Sequence, residues 1–259
     1  MLQNKISDWI KSYAEENNRK TLVIGISGGI DSSVVSTLCA MTKMPTIAVS
    51  MPINQIESQN DLSMDHGEWL ENKFNNVTHE VIDLNGVYEK FWLKTFNDYG
   101  SEHAFANTKS RLRMVTLHQI SGATNGIVVG TGNKVEDFGV GFYTKYGDGG
   151  VDISPIADLM KSEVWQLGKD LGIMQEIIDA PPTDGLWEDG RTDQDQLGGL
   201  TYEQMEKAMM LDNKKTIAEG SDVELLDKYR QIRKVNLHKM EPIPVFKNDG
   251  TTQTSDSQS

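Results

Sequence analysis

The sequence predicts an α/β fold: a doubly wound, mostly parallel sheet with helices on both faces. Three observations carry this. Short apolar runs rich in β-branched residues recur along the chain, as at Thr21–Ile26 (TLVIGI) and Gly126–Gly130 (GIVVG). Such runs suit strands buried on both faces, as in parallel sheets. Amphipathic segments of helical spacing alternate with them, the pattern of crossover units. A glycine-rich turn follows the first run directly and opens a helix.

The elements follow in order. Residues 4–16 place Ile6, Trp9, Ile10, Tyr13 and Ala14 at helical spacing, a helix with one buried face. A strand at 21–26 leads to a helix at 30–40, a strand at 46–50 and a helix at 61–72. The next strand is expected at Glu80–Leu84 (EVIDL), followed by helices at 87–95 and 107–120 and the strand at 126–130. The later chain reads as helical at 161–171, 201–211 and 222–239. Between them, 180–199 carries Pro181, Pro182, Gly185, Gly190 and several aspartates. It is too long and polar for a plain connection and is a candidate functional loop, with Pro182–Gly199 read as closing over bound substrate. Residues 1–246 are taken as a single domain, and 247–259 as a disordered polar tail.

The chain has 259 residues, 37% of them hydrophobic, enough for one large α/β domain. A net charge of −13 disfavours nucleic-acid binding, because an acidic surface repels phosphates. The lone cysteine, Cys39, allows no intramolecular disulfide, and its place in the helix after the glycine turn reads as core rather than nucleophile. No apolar run approaches the ~20 residues needed to span a bilayer, and no signal peptide is evident. The chain reads as cytoplasmic.

The segment Ser27-Gly28-Gly29-Ile30-Asp31-Ser32-Ser33 carries the first chemistry. Two glycines let a ligand approach the backbone N–H groups, and the helix that follows directs its positive end to the same place. Ser27, Ser32 and Ser33 add hydroxyls. Asp31 would repel a bare anion; a magnesium ion bridging it to a polyphosphate removes the conflict. No lysine follows the glycines, so this is not the common kinase-type phosphate loop.

Ser-Gly-Gly-x-Asp-Ser after a first strand resembles the signature of the ATP pyrophosphatase superfamily. A second block sharpens the resemblance. Gly130-Thr131-Gly132-Asn133-Lys134-Val135-Glu136 is followed by Gly141-Phe142-Tyr143-Thr144-Lys145-Tyr146-Gly147-Asp148-Gly149-Gly150, by Ile153-Ser154-Pro155-Ile156, and by Asp158-Leu159-Met160-Lys161. The Pro181-Pro182-Thr183 turn and Thr192-Asp193-Gln194 continue the series. The whole is similar to the ammonia-dependent NAD synthetases, from Ile6 to about Lys239.

The resemblance implies a Rossmann-like ATP pyrophosphatase fold and a carbon–nitrogen ligase. Such an enzyme adenylates the nicotinate carboxylate of nicotinic acid adenine dinucleotide with ATP, releases pyrophosphate, and amidates the adenylate with ammonia to give NAD and AMP. It implies ATP contacts from Gly25, Ser27, Gly28, Gly29, Asp31, Ser32, Ser33, Thr131, Lys161 and Thr183. It implies magnesium on Asp31 and Glu136, and dinucleotide contacts from Asn107, Arg111, Lys145 and Asp148. Asp148 and Lys161 take the catalytic roles, the first at the ammonia end and the second at the leaving pyrophosphate. The dinucleotide site is shared between subunits in that family, so a homodimer is implied. Arg113 is assigned a structural ion pair. Two positions depart from the pattern: Ser50 stands where an arginine is common, leaving Gln55 or Gln59 to contact the adenine, and Asp184 follows Thr183 where a small residue is common. The sequence starts directly with the synthetase-like region, so free ammonia is the expected nitrogen donor unless a separate subunit supplies it.

Two rivals stand beside this reading. A tRNA-thiolating relative would need catalytic cysteines and a basic surface, against one cysteine and a charge of −13. A non-catalytic nucleotide-binding regulator would have little use for the paired carboxylates Asp31 and Glu136.

Overall fold

The computed structural model describes residues 1–54, 57–187, 189–214 and 219–248. Four parallel strands, β1 (Thr21–Gly25), β2 (Thr46–Ser50), β3 (Val77–Val81) and β4 (Gly126–Val128), form one sheet in the order β3-β2-β1-β4. The α/β expectation is met. Val129 extends the sheet by a parallel bridge to Ile153. The strand order reverses beside β1, and in open α/β sheets the crevice at such a reversal is where ligands bind.

Strand residues alternate between two cores. Leu22, Ile24, Ala48 and Ile127 pack with helices α1 (Leu2–Glu16), α2 (Ile30–Met41), α6 (Lys161–Leu171) and α7 (Gln175–Asp179). Val23 and Val49 face the opposite side, against α4 (Asn85–Tyr99) and α5 (Glu102–Thr124). Both faces are covered, which is why these strands read as unbroken apolar runs. Helix α3 (Glu57–Lys73) adds Leu70 to the first core, where Cys39 is also fully buried. Burial raises the Cys39 thiol pKa, as befits a core residue rather than a nucleophile.

A third apolar cluster joins α9 (Tyr202–Lys214) and α10 (Ser221–Met240) to a π-helix at Lys134–Val140. Val135 and Val140 from the π-helix meet Met205 and Tyr229 there. Helix boundaries have local causes: the Ser101 hydroxyl accepts from Ala104 N at the start of α5, and Asn125 takes a left-handed conformation at its end (φ 51°, ψ 44°).

Three sequence expectations shift. The third strand begins at Val77, because Val77 closes on the core and pairs with Thr46; the backbone beyond it continues as Ile82 N to Ser50 O and Leu84 N to Pro52 O. In α1, the buried stripe is Ile6, Ile10 and Ala14, while Trp9 and Tyr13 lie outside it with their rings tilted against each other, centroids 6.0 Å apart. The 180–199 segment contains a short helix, α8 (Asp193–Gln196), capped by Thr192. The expected disordered tail falls outside the described residues from 249 onward.

Candidate active site

The C-terminal ends of β1 and β4 open into a cavity of about 1040 Å³. The glycine-rich turn between β1 and α2 forms one wall of it. Gly28 is left-handed (φ 82°), a conformation that suits glycine. Ser32 Oγ lies 3.1 Å from both Ser27 N and Ser27 Oγ, and donates to Gly29 O at 3.0 Å. These bonds fix the turn at the N-terminus of α2, where free backbone N–H groups attract anions. Gly25, Ser27, Gly28, Gly29, Asp31 and Ser32 all line the cavity. Ser33 does not: it is fully buried, and its hydroxyl donates to Gly29 O at 2.9 Å.

Asp31 and Glu136, the pair expected to hold magnesium, converge on the ammonium of Lys161. Lys161 Nζ, from the first turn of α6, lies 2.5 Å from Asp31 Oδ2 and 2.8 Å from Glu136 Oε1. Lys161 is almost fully buried. Burial opposes its charge, but the two carboxylates raise its pKa above the ordinary lysine value. Burial raises the Asp31 carboxyl pKa against the pull of Lys161. Glu136 is also desolvated, yet Lys161, Tyr202 and Asn133 hold its pKa below the usual range.

This geometry tests the fit of magnesium. Two carboxylates that share one positive charge suit a hard divalent cation completed by phosphate oxygens and water. Among the described residues no group of three or more His, Cys, Asp or Glu side chains is placed to hold a metal ion.

Residues not foreseen support the pair. Asn133, fully buried, accepts from Val135 N and Glu136 N through Oδ1, both at 3.0 Å, and donates to Asp31 Oδ1 at 3.2 Å. One side chain thus caps the π-helix and fixes both carboxylates. Tyr202 Oη donates to Glu136 Oε1 at 2.5 Å and lies 2.9 Å from Asp193 Oδ2. Asp193 is buried, its pKa pushed up to about 7 mainly by burial. Asp137, next to Glu136, also lines the cavity; burial and then the charges of Asp148, Glu136 and Asp31 raise its pKa. A methyl group at Gly132 would overlap the Asp137 carboxylate.

The opposite wall holds Asp148. Its Oδ1 accepts from Ser110 Oγ at 2.7 Å and Thr144 N at 3.0 Å. Burial raises its pKa despite these bonds. Asn107 Oδ1 accepts from Thr144 Oγ1 at 2.5 Å, Arg111 Nε donates to Lys145 O at 3.3 Å, and Lys145 Nζ donates to His238 O at 3.0 Å. Thr131, Thr183, Asn107, Arg111 and Lys145 share the cavity wall, as do His238 and Lys239 from the end of α10, which the sequence reading missed. The Thr183 hydroxyl donates to Arg191 O at 3.3 Å within its own segment, and Lys109 Nζ of α5 donates to Leu186 O at 3.1 Å.

Arg113 makes no ion pair among the described residues, contrary to expectation. Its Nε donates to Met51 O at 3.1 Å, and its buried Nη2 has no partner. Ser50 is buried and shares its hydroxyl with Ser63 Oγ (2.7 Å) and His79 Nε2 (2.8 Å). Asp184 Oδ1 accepts from Leu186 N. Gln55 and the Gln59 side chain fall outside the described residues.

Residues 2–242 match the NAD synthase family. The chain belongs to that family. It is 35% identical over 240 residues to the NH(3)-dependent NAD(+) synthetase of Carboxydothermus hydrogenoformans, covering 91% of this chain and 92% of the relative. It is 36% identical over 258 residues to the NH(3)-dependent NAD(+) synthetase of Alkaliphilus metalliredigens, with 94% and 98% covered. A solved NMN synthetase from Francisella tularensis superposes with a TM-score of 0.83 at 31% identity, covering 95% of this chain and 97% of that one. The NH3-dependent NAD synthetase of Campylobacter jejuni shares the fold, with a TM-score of 0.76 at 23% identity and 95% and 98% covered. No described helix is long and apolar enough to cross a membrane.

Proposed function

We propose that this chain is an ammonia-dependent NAD synthetase, a ligase that uses ATP to convert nicotinic acid adenine dinucleotide and ammonia into NAD, AMP and pyrophosphate. The observation that carries the reading is the convergence of Asp31 and Glu136 on one cation beside the phosphate turn, in the same cavity as Asp148. Asp31 and Glu136 would hold Mg²⁺, which when bound neutralises charge on the ATP phosphates.

The chain's own residues do the rest. The turn Ser27–Ser32 and the N-terminus of α2 cradle the phosphates, with Thr131 and Thr183 beside them. A nicotinate carboxylate oxygen attacks the α-phosphorus and pyrophosphate leaves. Lys161, released from its carboxylates, supplies positive charge to that leaving group. Ammonium has no lone pair, so it must lose a proton; Asp148 attracts the cation and accepts that proton. Nitrogen then bonds to the acyl carbon, the acyl–oxygen bond breaks, and AMP leaves. Segment 182–199 covers the adenylate and excludes water, which would otherwise hydrolyse it.

Asn107, Arg111 and Lys145 would bind the dinucleotide. A homodimer is supported by apolar side chains exposed on neighbouring helices: Val87, Phe91, Phe96 and Tyr99 of α4 and Val115 of α5. Light scattering from the purified protein tests it; a monomer at micromolar concentration would count against it.

The deciding experiment mixes protein, ATP, Mg²⁺, ammonium and the dinucleotide, and measures NAD, AMP and pyrophosphate in equal amounts. Folded protein that forms no NAD, or that forms ADP, sinks the reading. The likeness to the Francisella NMN synthetase favours a second reading, in which the mononucleotide is the acceptor. Competition between nicotinic acid mononucleotide and the dinucleotide in one tube separates the two by kcat/KM.

A further inference from the structure

Helix α5 presents one face to the cavity, with Ser110, Arg113, Met114 and Leu117 at helical spacing. Ser110 holds Asp148, and Leu117 packs near Gly25 at the end of β1. Arg113 therefore lies between the ammonia end and the ends of β1 and β2. The Nε bond to Met51 O fixes the guanidinium plane. Among the described residues, Arg113 is the one cavity-lining cation with a buried, unpartnered nitrogen, Nη2. Lys161 by contrast is fully paired with its carboxylates.

A buried guanidinium nitrogen without an acceptor is destabilising, because its lost hydration is not replaced. Burial lowers the Arg113 pKa to about 10, and the charges of Asp184 and Asp148 act on it only at a distance, without an ion pair. The group stays charged at neutral pH and lacks an acceptor. On the synthetase reading the ATP phosphates are assigned to the turn and Lys161 instead. Around Arg113, Met51, Met114 and Leu117 offer apolar surface suited to a flat ring.

We propose that Arg113 binds the carboxylate of the acceptor's aromatic acid and so makes the site prefer acid substrate over amide product. This rests on the synthetase reading above. An amide cannot accept as a charged carboxylate does, and its NH2 group would face the guanidinium donors. A site built around a polar partner discriminates strongly against an analogue that cannot complete the bonds. Arg113 thus helps expel product as well as select substrate.

Calorimetry without ATP tests this, with nicotinic acid adenine dinucleotide and NAD titrated separately into wild type, Arg113→Gln and Arg113→Lys, and ATP as control ligand. Wild type should bind the acid at least ~10-fold tighter than the amide, as charge-assisted bonds imply. Arg113→Gln should lose that preference through the acid alone, leaving the amide and ATP within about two-fold, while Arg113→Lys keeps part of it as a point charge without the fork. A glutamine variant that retains the preference, or weakens acid and amide equally, overturns the proposal. So does a loss confined to ATP, which would make phosphate the anion. Wild type that binds neither dinucleotide overturns the synthetase reading and this inference with it. Should the glutamine variant not fold, the lysine variant decides: full wild-type preference there contradicts bidentate recognition.

Discussion

Lys161 Nζ rests 2.5 Å from Asp31 Oδ2, although 130 residues separate them in sequence. The chain's own ammonium occupies the place between two carboxylates where a divalent ion would bind. Lys161→Met should leave two buried carboxylates without a counter-charge, a loss of about 3–5 kcal/mol in stability. Added Mg²⁺ or Mn²⁺, without nucleotide, should then raise the melting temperature of the variant more than that of wild type. Thermal denaturation with and without metal reads both effects. An equal metal response in the two proteins would remove the competition between lysine and ion.

Tyr202→Phe deletes one hydroxyl that serves Glu136 and Asp193 together. Hydrogen bonds to charged groups contribute about 1.5–3 kcal/mol, so a loss of that order is expected in denaturant unfolding. Glu136 should also lose its fixed orientation. KM for Mg·ATP should therefore rise several-fold while KM for ammonium stays nearly constant. Steady-state kinetics on each substrate separates this from a general loss of folded protein.

Asp148→Asn keeps the bonds from Ser110 and Thr144 but removes the charge and the base. Pyrophosphate release in a single turnover should survive better than NAD formation. Equal loss of both would move Asp148 out of the ammonia step.

His66 offers a pH test away from the nucleotide. Its ring is fully buried on α3, with Nε2 2.9 Å from Ser36 Oγ and Nδ1 unpartnered. Burial lowers its pKa to about 4, from 6.5. The unfolded chain therefore binds a proton near pH 6.5 that the folded protein refuses until about pH 4. Stability from this group is complete above pH 6.5 and is lost as pH falls toward 4, by about 3 kcal/mol. In His66→Gln, the drop in melting temperature between pH 7.5 and pH 5 should be smaller than in wild type.

Much of this was legible because the signals are local. Buried parallel strands announce themselves as apolar runs, and Ser27–Ser32 is a contiguous motif whose turn geometry follows from its glycines. The rest depends on distance. Nothing near Tyr202 in the sequence says that its hydroxyl reaches Glu136, 66 residues away. Asn133 could be quoted in a motif, but that it bonds both Asp31 and the π-helix is a fact of packing. Arg113 was assigned a structural ion pair, but folding instead pairs its Nε with Met51 O and leaves Nη2 without a partner, which no local pattern announces. The third strand was placed late because Ile82 and Leu84 are apolar like strand residues, whereas pairing with β2 begins at the buried Val77.

The π-helix at Lys134–Val140 makes chain length part of the site. Its wider turns let Glu136 and Asp137, adjacent in sequence, both reach the cavity wall while Val135 and Val140 stay in the core. Removing one residue between Asn133 and Gly141 would allow an ordinary α-helix, which is the more stable form by itself. It would also rotate every later side chain by about 100° about the axis. Substitutions in this stretch are therefore judged one side chain at a time, but a deletion shifts the whole register. Between Asn133 and Gly141 a lineage can exchange letters more readily than it can lose one.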